Sequence, residues 1–189
     1  MPPEAAGSCQ VQDEESLVRR AQKHDQEAFA QIYEEYFDKI YRYITLKIGD
    51  AVEAEDLTQQ VFLNTLRSIS SFKWRGKPFS AWLYRIAHNQ VVDYLRKKKK
   101  VTVPLEENLV SAGDNPQQSA ERKLDIERVL AAARHLTDAQ REVISLRFTS
   151  ELSIAQVAEL MGKSQGAVKA LQHSGIVALR KTLVVKENE

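Results

Sequence analysis

The sequence predicts an all-α fold, arranged as two small helical domains joined by a flexible linker. Three observations carry this. Apolar residues recur at three- and four-residue steps through long segments, no alternating strand pattern persists, and glycine and proline are scarce inside the periodic stretches. The periodicity stops over residues 101–119, VTVPLEENLVSAGDNPQQS, which hold two prolines and one glycine. A structureless run of that length is unusual inside one compact domain, so a boundary is placed there.

Residues 1–14 contain many small residues and read as a disordered tail. The first domain covers 15–100. Its opening helix runs from about Glu15 to Ile48, with Phe29, Ile32, Tyr33, Tyr36, Phe37, Ile40, Tyr41 and Ile44 in one broad apolar stripe. Gly49-Asp50 ends it. A second helix covers about Ala51 to Ile69, with Ala54, Leu57, Val61, Leu66 and Ile69 inward. Gly76 and Pro78 mark a loop over 73–78. The third helix, from Phe79 to about Lys98, buries Phe79, Trp82, Leu83, Ile86, Ala87, Val91 and Tyr94.

The second domain covers 120–185. Leu124, Val129, Leu130 and Ala133 suggest a helix ending near His135. Thr137 and Gln140 form a capping-box pair opening a helix to about Phe148, and Ser153 with Gln156 repeats it. Ile154, Val157, Ala158 and Met161 point that short helix inward. Gly162-Lys163 makes a tight turn. Ser164 caps a last helix to about Val184, with Val168, Leu171, Ala178 and Leu179 toward the core, and 186–189 form a tail.

Composition narrows the function. The net charge of the 189 residues is only +1, but the charge is unevenly spread. Glu4 to Asp56 contains thirteen acidic and six basic residues; Arg67 to Lys100 contains ten basic residues and one acid, Asp93. A solvated helix face usually mixes signs, whereas a one-sided block interleaved with aromatics suits nucleic acid. The lone cysteine, Cys9, excludes an internal disulfide and a Cys/His metal cluster. No cofactor or metal is expected. The N-terminus lacks the pattern of a secretory signal, and no run approaches bilayer length, so a cytoplasmic protein without membrane contact is expected.

Two segments carry candidate chemistry. Ser153 to Gln172 reads as helix, turn, helix, and its second helix would enter the major groove. Ser164, Gln165, Gly166, Ala167, Lys169, Ala170, Gln172 and His173 are its candidate DNA contacts; an ordinary helical hairpin is the bland alternative. In the basic block, Lys73, Trp74, Arg75, Lys77, Arg85, His88, Asn89, Arg96, Lys97 and Lys98 are candidates for gripping a phosphate backbone and a displaced base. A third face, on the second helix, exposes Asp56, Gln59 and Gln60 beside Phe62 and Leu63, which suits helix docking.

With these blocks in order, the chain resembles a bacterial RNA polymerase sigma factor of the extracytoplasmic function (ECF) group, over about Gln26 to Leu183. Asp56-Leu-Thr-Gln59 with Phe62 resembles the polymerase-docking motif. Pro78-Phe-Ser-Ala-Trp-Leu83, Ile86-Ala-His-Asn89 and Asp93-Tyr-Leu-Arg96 resemble the promoter-melting segment. Leu136 to Ile144 with Leu146-Arg147 resembles the scaffold of the C-terminal domain, and Ser164-Gln-Gly-Ala-Val-Lys169 the start of its recognition helix. The resemblance implies that 15–100 is sigma region 2, reading and opening the minus-ten element, and that 120–185 is region 4, reading the minus-thirty-five element. It implies docking on the coiled coil of the polymerase largest subunit through Glu55, Asp56, Leu57, Gln59, Gln60, Phe62 and Leu63. Promoter DNA and an anti-sigma protein are the other implied partners. Gln60 stands where the family usually has an acid, and Leu171, Ser174, Gly175 and Ile176 stand where arginines usually continue the recognition helix.

The main alternative is a helix-turn-helix regulator acting without polymerase core. It leaves the basic, aromatic N-terminal half unexplained. An interaction-only decoy would keep residues 55–68 and lose opening. An enzyme fits least: His24, His88, His135 and His173 are scattered, none beside a nucleophile at useful spacing, and His88 and His173 read as exposed polar residues or DNA contacts.

Overall fold

A computed structural model describes residues 6–101 and 130–186. Seven α-helices and one 3₁₀ turn have both ends among the described residues: α1 (Ala6–Gln22), α2 (Gln26–Ile48), α3 (Ala51–Ser68), the 3₁₀ turn (Ile69–Ser71), α4 (Phe79–Val101), α5 (Asp138–Thr149), α6 (Ile154–Met161) and α7 (Gln165–Lys186); residues 130–133 are also helical, and the chain turns at 134–135, near the expected end at His135. The 102–119 part of the linker, the expected helical start over 120–129 with Leu124 and Val129, and the last three residues lie outside the described residues. Among the described residues no helix is long and apolar enough to cross a membrane.

Local chemistry sets the helix ends. The Thr137 hydroxyl accepts from the Gln140 N–H and the Gln140 side chain accepts from the Thr137 N–H; Ser153 and Gln156 repeat the exchange. Each box satisfies two otherwise orphaned donors at a helix start. Asp50 caps α3 by accepting from the N–H groups of Val52 and Glu53. At the other end of α6, Gly162 adopts φ 61°, a left-handed conformation that L side chains take at a cost.

The long N-terminal helix expected over Glu15 to Ile48 is instead two helices. His24 takes φ 67° and breaks the chain between α1 and α2. Asp25 caps α2 by accepting from the Ala28 N–H, and the Arg20 guanidinium bonds its other oxygen at 2.8 Å. Those two partners hold the Asp25 carboxyl below its ordinary range. Helix α1 itself begins at Ala6, upstream of the expected start.

Two layers of packing result. In the N-terminal half, α1, α2, α3 and α4 enclose Val18, Ile32, Ile40, Tyr43, Ile44, Val61, Phe79, Leu83 and Val91, all essentially without solvent access. Leu66, assigned inward from its spacing, is 52% exposed and lies on the outer face of α3. Burial in the C-terminal half is centred on Val143, Leu146, Leu152, Val157 and Val168. These residues join the same apolar cluster as the N-terminal core, so the two halves meet along a shared boundary. A smaller cluster of Ala133, Leu136 and Ile144 takes in Leu46 of α2 and Ile176 and Leu179 of α7.

Gly175 explains the close approach of α5 and α7. A Cβ added there would lie 3.0 Å from Ile144 Cγ1 and 3.6 Å from Gln140 Cβ. Helix propensity alone says that Gly175→Ala gains about 1 kcal/mol. Overpacking against the stiff, β-branched Ile144 costs about 1–3 kcal/mol. The packing term is expected to win, so Gly175→Ala should lower the urea midpoint; a raised midpoint would show that Ile144 gives way to the added methyl group and that helix propensity prevails.

Candidate nucleic-acid interface

The loop between the 3₁₀ turn and α4 is held by aromatic packing. Phe72, 7% exposed, sits edge-on to Trp74 at 5.2 Å and to Phe79 at 5.5 Å, and tilts against Trp82 at 5.3 Å. The Gln22 amide of α1 donates to the carbonyls of Ile69 and Phe72 at 3.0 and 2.8 Å. Ring contacts of this kind each add about 0.5–1.5 kcal/mol beyond their area. The loop is therefore anchored at its base, while Lys73, Arg75 and Lys77 project into solvent. Trp74 is half-buried, and its indole Nε1 has no hydrogen-bond partner among the described residues.

Helix α4 continues this surface. Arg85, Asn89, Val92 and Arg96 recur at steps of three and four and are exposed, followed by exposed Lys97 and Lys98. Arg96 is 2.9 Å from Asp93, and the Lys98 ammonium lies 5.6 Å from the centre of the Tyr94 ring. Lys77 and Arg85 converge on one acceptor, Glu159 Oε1 of α6, Arg85 at 3.3 Å. The two cations lower the Glu159 carboxyl below its ordinary range, Lys77 chiefly. His88 departs from this surface. Its ring is half-buried, with Nδ1 3.0 Å from Glu142 Oε1 and 3.4 Å from the Tyr43 hydroxyl.

The second surface is built on α6 and α7. Val157, Ala158 and Val168 fix the angle between the two helices by burying their facing sides. Ser164 accepts from the Ala167 N–H and starts α7. Ser164, Gln165, Gly166, Ala167, Lys169, Ala170 and His173 are all exposed, on one side and around the amino end of α7. A helix amino terminus supplies free N–H donors and partial positive charge for a phosphate. Gln172 is half-buried, and its Oε1 is enclosed without a partner, so it faces the α7 packing side more than the groove side.

The third surface lies on α3. Val52, Leu63 and Leu66 are 55%, 47% and 52% exposed. With exposed Asp56 and Gln59 between them, they form one stripe at three- and four-residue steps. Glu55 is exposed beside it, and Leu57 packs partly against the core. Phe62 is 3% exposed, with its ring 4.8 Å from Tyr33 and 6.2 Å from Phe37, so it supports the stripe from beneath. Gln60 is half-buried and donates to Asn64 at 3.1 Å.

Between the halves lies a buried ionic cluster. Glu142 of α5 is 2.6 Å from the Lys47 ammonium, and the Tyr43 hydroxyl donates to it at 2.7 Å. His88 completes the set. Lys47 and Glu142 are each under one-tenth exposed. Burial pushes the Glu142 carboxyl up, but the His88 contact and the Lys47 charge outweigh it and hold it down to about 2. Burial and the same carboxylate push the Tyr43 phenol up. Nearby, the Tyr84 hydroxyl donates to the Thr149 carbonyl at 2.6 Å.

Sequence and fold comparisons agree with this geometry. Residues 32–101 match the Sigma-70 region 2 family and residues 132–181 match Sigma-70, region 4. The ECF RNA polymerase sigma factor SigW of Bacillus subtilis is 34% identical over 88% of this chain and 94% of its own length. The chain belongs to the ECF group of RNA polymerase sigma factors. The ECF sigma factor BldN of Streptomyces coelicolor is 37% identical over 88% of this chain and 64% of its own length, so the chain spans a little under two thirds of that relative. The sigma factor RpoE of Bartonella quintana, solved with the anti-sigma factor NepR, shares the fold: TM-score 0.69, 24% identity, 83% of this chain and 97% of that one. Sigma factors are non-enzymatic, DNA-binding initiation factors, and this chain is one of them.

Within this sigma factor, the structure gathers Lys73, Trp74, Arg75, Lys77, Arg85, Asn89, Arg96, Lys97 and Lys98 along the loop and outer side of α4, and sets His88 and Gln172 apart. Val52 and Leu66 were not placed on the outer face of α3 from the sequence, and Glu142 and Glu159 were not singled out. A second apolar stripe on α3, at 52, 63 and 66, was the available signal for the first two. The acids had none, because their partners lie far away in the chain.

Glu142 titrates lower in the folded chain than its ordinary 4.5, so its ionised form stabilises the fold at every pH above that value. The contribution fades as pH falls from there through about 2. At pH 7, Glu142→Gln should cost about 1.5–3 kcal/mol in urea unfolding. The gap from wild type should shrink at pH 3; a constant gap would show that no buried carboxylate is held there.

Proposed function

We propose that this sigma factor divides promoter recognition between its two halves while docking through a third face. The α3 stripe of Val52, Asp56, Gln59, Leu63 and Leu66 binds the coiled coil of the polymerase largest subunit, with Glu55, Leu57 and Gln60 at its margin and Phe62 supporting it. Region 2, residues 15–100, reads and opens the minus-ten element. Lys73, Arg75, Lys77, Arg85, Arg96, Lys97 and Lys98 contact phosphates of the displaced strand, and Asn89 and Trp74 contact its bases. Region 4, residues 120–185, reads the minus-thirty-five duplex through Ser164, Gln165, Gly166, Ala167, Lys169, Ala170 and His173. The chain works in the cytoplasm with the polymerase, and an anti-sigma protein is its further expected partner.

The observation that supports this division is the exposure of three chemically different faces on one chain. An exposed amphipathic stripe on α3 has no use in a regulator that acts without polymerase. The energetics also suit strand capture. Unstacking a base costs a few kcal/mol, and stacking with phosphate contacts returns a similar amount, so no nucleotide hydrolysis is needed.

Run-off transcription with core polymerase on candidate upstream regions tests the reading. Wild type should yield a promoter-dependent transcript. Asn89→Ala should cut opening, read as permanganate-reactive thymines, while leaving duplex binding by the holoenzyme near normal. Lys169→Ala should instead weaken duplex binding and reduce the salt slope by about 1. A Leu63→Asp, Leu66→Asp pair should abolish co-elution with core enzyme. Absence of any promoter-dependent transcript across the library would reject the function.

A further inference from the structure

Helix α1 carries none of the candidate DNA contacts, yet its last residue, Gln22, reaches the stem of the loop that carries Lys73, Trp74, Arg75 and Lys77. The turn after α1 fixes where Gln22 stands. The N–H groups of Lys23 and Asp25 both bond the Arg20 carbonyl, His24 bonds the Ala21 carbonyl, and the Arg20 guanidinium holds Asp25 at 2.8 Å. Val18 and Ala21 of α1 are buried and seat the helix on the core. Gln22 then turns its side chain toward the 3₁₀ turn after α3. Its Nε2 donates to the Ile69 carbonyl at 3.0 Å and to the Phe72 carbonyl at 2.8 Å. Both partners are acceptors only, so chemistry fixes which end of the amide faces them, and both of its N–H groups are used. Phe72 lies in extended backbone (φ −64°, ψ 134°), outside any helix, so no helical N–H is available to its carbonyl.

We propose that Gln22 is a positioning residue for promoter opening: its amide clamps the stem of the 73–78 loop, so that Lys73, Trp74, Arg75 and Lys77 stand ready for the displaced strand. The inference rests on the reading that this loop serves that strand. Leverage is greatest at the stem. Lys73 follows Phe72 directly, and the Trp74 ring packs edge-on against Phe72 at 5.2 Å. Holding the Ile69 and Phe72 carbonyls to one amide sets the direction in which the chain leaves the 3₁₀ turn. Ring packing alone does not do this, because apolar contact is non-directional, whereas a pair of hydrogen bonds from one amide fixes an orientation. Farther out, Gly76 takes φ 70° with nothing within 4 Å of the place of a Cβ, so packing does not steady that part of the loop. The residue type matters. A glutamate there has no donor and repels both carbonyls, and an asparagine is one methylene short. Cations that wander must be ordered when they meet the strand, and that entropy is lost from the capture that offsets unstacking.

Promoter opening by the polymerase holoenzyme separates positioning from folding. Gln22→Glu and Gln22→Met both remove the two donors, the first with nearly the same shape and the second without charge. Each variant should stay folded by circular dichroism and co-elute with core enzyme. Affinity for the closed duplex promoter should change less than about twofold. The rate of opening, read by permanganate-reactive thymines, should fall roughly tenfold, on the order of one to two ordinary hydrogen bonds. A template already unpaired over the minus-ten element should restore transcription to near wild type, because no base then has to be unstacked. In the free chain, tryptic cleavage after Lys73, Arg75 and Lys77, read by mass spectrometry, should quicken several-fold. If both variants open the duplex promoter as fast as wild type, or lose as much on the unpaired template, the positioning role is overturned. A defect in Gln22→Glu alone overturns it too, since the new charge then repels DNA. Should either variant misfold, Gln22→Asn, which draws the amide back by one methylene, takes its place. The underlying reading is tested apart by Lys73→Ala with Arg75→Ala. Impaired opening there, with normal opening in the Gln22 variants, removes the clamp and keeps the loop's role on the strand. Unimpaired opening removes that role, and the clamp's purpose with it.

Discussion

A carboxylate with little access to water, Glu142, meets an ammonium with equally little, Lys47, and the relation of the two halves follows from that pair. Leaving either charge buried alone is costly, so the partners must arrive together. The Tyr43 hydroxyl and His88 ring fill the remaining directions around the carboxylate. Because Lys47 and Tyr43 sit on α2, His88 on α4 and Glu142 on α5, satisfying one carboxylate fixes three helices at once. Apolar packing of Val143, Leu146 and Leu152 against the N-terminal core then becomes possible over the same boundary.

The other firm point is aromatic. Phe72 gathers Trp74, Phe79 and Trp82 beneath the loop, and Gln22 ties the loop's backbone to α1. A flexible ligand is held best by a surface whose own groups are already placed. The hub supplies that placement: Lys73, Arg75 and Lys77 project from a base that packing immobilises. The same rigidity lets Glu159 meet Lys77 and Arg85 together, since two long cations can share one acceptor only when their anchor points are fixed.

What the sequence made legible was local. The capping boxes at Thr137–Gln140 and Ser153–Gln156, the left-handed Gly162 and the inward faces of α6 and α7 all depend on residues within one turn of each other. The break at His24 escaped because neither glycine nor proline marks it; only Asp25, as a capping residue three positions before Ala28, gave a sign. Leu66 was assigned inward because period alone does not say which of two apolar stripes on α3 faces the core. His88 was placed with the DNA contacts because its spacing fits that face within one position. Its true partner, Glu142, lies 54 residues away, and Tyr43 lies 99 residues from the same acid. Contacts across such separations leave no periodic trace in either segment.

The arginine-poor recognition helix has a structural reason of the same kind. Gly175 lets α7 approach α5 so closely that a single methyl group would press on Ile144. Ser174 accepts a hydrogen bond from Gln140 at 3.0 Å, and Leu171 and Ile176 pack inward. These four positions serve the junction with α5 and the core, so long cationic side chains there would sacrifice packing for phosphate contact. In the first part of α7, from Ser164 to His173, one lysine and the helix amino terminus supply the positive field. The basic residues concentrate instead in the loop and α4, where nine of the ten between Arg67 and Lys100 lie. The C-terminal half touches that basic surface directly, because Glu159 of α6 bonds Lys77 of the loop and Arg85 of α4.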